Sequence, residues 1–223
     1  MPRDAVCLEP LGSSAAAGAA LAMDDRFRVL MGDAAWNALP NAIRRRFSQK
    51  AGPGESILFR GAVTEMRTRF AGRVLAHVAR LIGAPLPLTR EIGAASVVTV
   101  TEDAAGGGQN WTRLYAHSHG FPQIIHSAKR FNGPTGLEEY VGRGVGMTLT
   151  VHGEPDALVF NSDRYFVEAM GRRIYLPGWL SPGALAVRHR ALSHAAFAFE
   201  LTIRHPMLGR IFFQKAVFED TPQ

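Results

Sequence analysis

Residues 95–119 read ASVVTVTEDAAGGGQNWTRLYAHSH, and this stretch decides the fold class. Ala95 to Asp103 is a run rich in β-branched residues with period-two alternation, which is strand chemistry. Gly106-Gly107-Gly108 is a turn, and Asn110 to His119 then alternates again. Two strands joined by so short a connection can only pair antiparallel. Along the second strand Trp111, Arg113, Tyr115, His117 and His119 fall on one face, and Thr112, Leu114, Ala116 and Ser118 on the other.

The same pattern repeats to the C-terminus. Further strands are predicted near 122–131, 145–152, 157–170, 184–193, 195–205 and 209–219, separated by Asn132-Gly133-Pro134, Gly153-Glu154-Pro155-Asp156 and His205-Pro206-Met207-Leu208-Gly209. Ser56 to Thr68 reads as the first strand. With eight or nine strands, an antiparallel meander tends to curl or partly close and so acquires a concave face.

Upstream the period is helical. Asp24 and Asp25 can cap a helix carrying Phe27, Leu30, Met31 and Ala34, and Trp36, Leu39, Ile43 and Phe47 continue the apolar spacing past Pro40 as a second short helix. Phe70, Val74, Leu75, Val78, Leu81 and Ile82 share one face of a stronger amphipathic helix, with Thr68 available as a cap and Gly83, Pro85 and Pro87 ending it. That face must pack on something, and the sheet is the expected partner. The predicted class is therefore α+β: N-terminal helices and one long amphipathic helix packed on a large, curled, partly closed antiparallel sheet. Residues 1–24 are expected to be a flexible leader and 25–223 a single globular domain.

Composition sets the outer bounds. The chain has 223 residues, 47% hydrophobic and 20% charged, which suffices for one sizeable core. With a mean hydropathy of -0.01 and no apolar run long enough for a membrane-spanning helix, no transmembrane segment is expected. The Ala/Gly-rich stretch Ser13 to Met23 follows Asp4 and Glu9 and contains little leucine, unlike a signal peptide. A lone cysteine, Cys7, permits no intramolecular disulfide and fits a reducing, cytoplasmic setting. The formal net charge is +6, yet only Lys50, Lys129 and Lys215 of the 25 basic residues are lysine, and the arginines are scattered apart from Arg44-Arg45-Arg46. Three consecutive arginines on a helix point in different directions, so no nucleic-acid stripe is formed and no nucleic-acid partner is expected.

Several pieces occur in a recognisable order: Trp36 and Leu39-Pro40, Phe59-Arg60-Gly61, Ile82-Gly83-Ala84-Pro85, Gly107-Gly108 before Trp111-Thr112-Arg113, Ser127, Leu137-Glu138-Glu139-Tyr140-Val141-Gly142, Leu176-Pro177, and His205-Pro206-Met207-Leu208-Gly209. In this order the chain resembles a bacterial family of unknown function, domain family 4166, from about Phe27 to Val217. The resemblance carries no activity. It does imply a dehydrogenase-like protein partner, since some members resemble C-terminal appendages of dehydrogenase-like nucleotide-binding domains. This chain has no Gly-x-Gly-x-x-Gly after a predicted strand, so no dinucleotide site and no cofactor is expected. Tyr140 stands where the resemblance predicts arginine, while Glu139 matches.

Trp111, Arg113 and Tyr115, with Ser127 and Glu139, form the candidate ligand-binding set. Rings can cover an apolar ligand while a guanidinium orients a carboxylate or phosphate. The competing reading is a packed core in which Arg113 is paired by Glu139. His117 and His119 share a face, with His126 a strand later, but no third or fourth ligand completes a zinc set, so no metal is assigned. Lys215 alternates with Ile211, Phe213 and Val217. Ser127 and Lys129 share a face without the elbow of a serine hydrolase.

Three functions follow. The favoured one is a noncatalytic binder of an apolar or amphipathic anionic small molecule, with a lipid-like partner. The alternatives are an enzyme using Glu139, Ser127, Lys129 or a histidine as acid and base, and an accessory module for a dehydrogenase-like partner, which would expose an apolar patch.

Overall fold

The computed structural model describes residues 22–83, 85–88 and 91–220; the predicted leader lies outside these residues up to position 21. Its elements in chain order are β1 (Ala22–Met23), α1 (Arg26–Met31), α2 (Asp33–Asn37), α3 (Asn41–Phe47), β2 (Gln49–Lys50), β3 (Ile57–Thr68), α4 (Phe70–Val78) with a 3-10 turn at Ala79–Ile82, β4 (Ala95–Asp103), β5 (Gly108–Tyr115), β6 (Gln123–Arg130), β7 (Glu138–Gly142), β8 (Val145–Glu154), β9 (Ala157–Ala169), β10 (Arg172–Tyr175), β11 (Ala184–Ala191), β12 (Ala196–His205) and β13 (Gly209–Asp220).

The expected α+β arrangement of helices on a partly closed sheet is not what forms. Ten strands close completely into an all-antiparallel barrel, in the order β3-β4-β5-β6-β7-β8-β9-β11-β12-β13, with β13 returning to pair with β3. Closure has a physical cause in β3 and β13, each 12 residues long. They zip from Phe59↔Asp220 to Thr68↔Phe212, with a bulge at Lys215/Ala216 that admits Thr64 as an extra residue. Such a bulge bends and twists a strand, as barrel closure requires. Pairing the first long strand with the last also removes both edges that an open meander would expose. The short β10 continues along the same flank of β9 as β11.

The two ends of the barrel differ. Phe27, Trp36, Leu39, Ile43 and Phe47 from α1–α3 are buried in the main core and plug the end where β3 and β9 begin. Arg46 clamps this plug: its Nε lies 3.1 Å from Asp220 and its guanidinium sits over Phe197. At the other end α4 lies across the mouth.

Here the helix also departs from expectation. The face predicted to pack on the sheet is largely turned outward, with Phe70, Val74, Val78 and Leu81 exposed, and α4 docks through Gly72 and Ala76 instead. The reason is proximity. A Cβ built at Gly72 would overlap the Ile211 carbonyl oxygen, so the helix reaches the β13 backbone only on its small-residue face. Gly72→Val is therefore expected to unseat α4, lowering stability by about 1–3 kcal/mol and raising amide exchange across residues 70–82 while the strands stay protected. A stability change under about 0.5 kcal/mol, with unchanged exchange, would show that the close approach is not formed.

Outward positions carry ion pairs such as Arg188–Glu154 and Lys215–Glu200, whereas most inward positions are apolar. This is the reverse of the alternation in a membrane-spanning barrel. No helix among the described residues is long and apolar enough to cross a membrane.

Candidate functional site

Period-two alternation aims one side-chain set of each strand into the barrel, and this set is layered. Nearest the helical plug is an aromatic layer containing Trp111, Phe160, Phe197 and His189, whose rings meet edge-on or stacked. Above it lies a polar layer formed by Arg113, Ser127, Lys129 and Glu139. Nearer the mouth Tyr115, Ile125, Val141, Met147, Leu201 and Ile203 surround a cavity of about 400 Å³, roofed by Leu75, Val78 and Ile82.

Register explains the polar layer. β5 pairs with β6 at Trp111↔Ser127, and β6 with β7 at Lys129↔Glu139, so inward residues of three consecutive strands converge. Arg113 Nη1 donates to Ser127 Oγ at 3.1 Å, and Arg113 Nη2 lies 3.7 Å from Glu139 Oε1. Lys129 Nζ is 3.1 Å from Glu139 Oε2 and 5.0 Å from the centre of the Trp111 ring. Lys129 and Glu139 are almost fully buried. Burial pushes the lysine below its ordinary pKa and Arg113 adds to this, against the opposing pull of Glu139. For Glu139, burial acts upward, but Lys129, Arg113 and the Ser127 hydroxyl together outweigh it and hold the carboxyl below the usual carboxylate range. Two cations thus share one carboxylate at the floor of an apolar chamber.

All five candidate residues, Trp111, Arg113, Tyr115, Ser127 and Glu139, point inward. Arg113, Tyr115, Ser127 and Glu139 line the cavity, while Trp111 lies a layer deeper, beside a small void. The two readings of Arg113 therefore hold together: it is paired by Glu139 and it also faces the chamber. The Tyr115 hydroxyl approaches Gln214 Oε1 at 3.5 Å, and burial raises the phenol's pKa. Strand β5 ends at Tyr115, so His117 and His119 leave its inward face. His117 instead lies 3.9 Å from Glu91, and His126 points outward to Thr112 at 3.0 Å. No three His, Cys, Asp or Glu side chains converge as a metal site among the described residues.

Glu138 turns to the opposite face from Glu139. It is buried against Arg173, and the Tyr140 hydroxyl donates to it at 3.1 Å. Arg173 also reaches Glu168 at 2.5 Å, so a guanidinium from β10 serves the β7 carboxylate beside Tyr140. Sequence reading singled out neither His189 nor Gln214. His189 alternates with Leu185 and Val187 in β11, and that spacing was the available signal for its inward position.

No curated protein and no solved structure is significantly similar to the chain. A family model does match, over residues 39–218, a span that takes in the whole barrel apart from the last residues of β13 and includes every residue of the polar layer. The chain belongs to the domain of unknown function family DUF4166.

Proposed function

We propose that the protein is a noncatalytic binder of a single-chain amphipathic anion, whose acidic head sits against Arg113 and whose apolar chain extends towards the mouth. The observation that carries this reading is the surplus of positive charge in the polar layer, where Arg113 and Lys129 share only Glu139 beneath an otherwise apolar cavity. A desolvated cation that is only partly neutralised gains from a second anion. A volume of about 400 Å³ falls in the range of small-molecule pockets. Catalysis draws less support: Glu139, which the Ser127 hydroxyl faces, is paired with Lys129 and Arg113 and held below the usual carboxylate range, which makes it a weak general base.

Calorimetric titration of delipidated protein with decanoate and with decanol tests this reading. Decanoate is expected to bind more tightly than the uncharged alcohol. Arg113→Met is expected to weaken decanoate by about 2 kcal/mol or more, roughly thirtyfold, with little effect on decanol. Equal binding of acid and alcohol, or an unchanged affinity in Arg113→Met, would remove the anion from the proposal. Failure of both compounds to bind would remove the cavity as a site for this ligand class.

A further inference from the structure

We propose that the α4 end of the barrel docks on the surface of an anionic lipid bilayer, so that the cavity mouth opens against the membrane. Exposed large apolar side chains are concentrated at this end. Phe70 is 73% exposed, Leu81 70% and Trp179 79%, and Val74, Val78 and Leu180 are exposed beside them. Phe121 and the Met207–Leu208 turn are exposed at the same end. At the helical-plug end only Met23, Val29 and Leu192 are comparably exposed among the described residues.

These residues ring an opening. Val78, Leu81 and Leu180 are exposed and also line the cavity, so the rim is continuous with the apolar chamber. On α4 the spacing Phe70, Val74, Val78, Leu81 forms one stripe along the helix and its 3-10 extension, as in a helix lying in an interface with its apolar side in the acyl region. Trp179 on the facing loop is the residue type that sits at headgroup depth.

Charge selects a membrane as the occupant, and an anionic one. Arg69, Arg73, Arg80, Arg143, Arg172 and Arg210 are exposed at this end, and none has a carboxylate partner among the described residues. Of the described carboxylates at this end, Glu65 and Glu168 each face an arginine and Glu91 lies 3.9 Å from His117. At the other end Asp24, Glu102, Asp103, Glu154, Asp156 and Asp220 are each paired with an arginine. The molecule is therefore polarised along its barrel axis, with apolar and unneutralised basic groups interleaved around the mouth. Anionic headgroups over acyl chains supply both complements in a single surface.

Flotation with vesicles of equal parts phosphatidylcholine and phosphatidylglycerol, compared with pure phosphatidylcholine, tests the proposal. Trp36 and Trp111 are buried, which leaves Trp179 as the tryptophan that reports contact by a blue shift in emission. Binding is expected to the anionic vesicles and to weaken as salt rises from about 0.1 to about 0.5 M. Arg73→Glu with Arg80→Glu is expected to lower vesicle partitioning at least about tenfold. Val74→Asp should do the same, and none of these three side chains lines the cavity, so decanoate affinity should stay unchanged. Conversely, Arg113→Met should float like the parent, which separates failure of docking from failure of ligand binding. No flotation with anionic vesicles overturns the proposal, as does flotation unaffected by the α4 variants. A concentration-dependent dimer that forms without vesicles and is lost in Val74→Asp would assign the surface to a second copy of the chain and also overturn it.

Discussion

Glu139→Leu is expected to destabilise the protein by about 3–5 kcal/mol at neutral pH, which for a domain of this size is a fall in Tm of roughly 6–20 °C. The carboxylate is the common partner of Arg113 and Lys129, and no other carboxylate among the described residues pairs with either cation. Its removal leaves two buried cations close together without their carboxylate, and desolvation that the carboxylate offset becomes a net cost. Lys129→Met should behave quite differently. It leaves the Arg113–Glu139 contact in place, removes an ammonium whose pKa burial already depresses, and keeps an apolar stem against Trp111 and Phe160. A change under about 1 kcal/mol in either direction is expected. In the double variant Lys129→Met/Glu139→Leu, the loss should be smaller than that of Glu139→Leu alone, because one stranded cation is gone; the double loss minus the sum of the two single losses is the coupling energy. Urea unfolding midpoints measure all three. Equal losses for the two single substitutions would mean that the polar layer is solvated and its charges are not coupled through Glu139.

This cluster was partly legible in the sequence. Alternation around Trp111, Arg113 and Tyr115 placed those residues on one side of β5, and the same rule placed Phe197, Phe199, Leu201 and Ile203 of β12 inward, where they are buried. Eight of the ten strands from Ala95 onward follow the same signal closely, because β-branched runs cut by glycine turns leave little freedom; the short β7 and β10 have no such run and were not predicted. Two kinds of information were missing. The first is closure: which strand lies beside β3 depends on Phe59 finding Asp220 across the whole domain, a contact with no local trace. The second is the choice of face where both are apolar. In β13 the odd positions Ile211, Phe213, Lys215 and Val217 read as an apolar face with the Lys215 ammonium reaching outward; Lys215 pairs outside with Glu200, and Phe212, Gln214, Ala216 and Phe218 fill the barrel. Adjacent phenylalanines at 212 and 213 make period two ambiguous, and only the register with β3 resolves it. For α4 the apolar stripe identified a helix correctly but not its packing side, since the close approach at Gly72 decided the docking.

His189→Phe is expected to abolish an acid-side loss of stability that the parent shows below about pH 6.5, the ordinary histidine range. His189 is buried, enclosed by the rings of Phe47, Phe160, Phe197, Phe199 and Trp111, and its Nδ1 has no hydrogen-bond partner among the described residues. Burial, with further contributions from the Lys129, Arg46 and Arg113 charges, holds its pKa well below the usual value. Below the ordinary range the unfolded chain therefore takes up a proton that the folded barrel refuses, so the unfolded state gains and stability falls as pH falls. The cost is at most about 1.4 kcal/mol for each pH unit, and it continues until the folded-state pKa is reached. Glu139 adds a second loss with the same sign, but its window opens only below the ordinary carboxylate range, because its depressed pKa leaves it ionised in the fold after the unfolded chain has begun to protonate. The two groups can thus be separated by pH. Phenylalanine cannot titrate, and the void of about 10 Å³ beside His189 gives its larger ring some room. Urea unfolding at intervals between about pH 8 and about pH 5, where carboxylates contribute little, should give a falling line for the parent and a nearly flat one for the variant. Parallel lines would show that His189 is protonated in the fold, and would sink the picture of a neutral imidazole in an aromatic cage beneath the cationic layer.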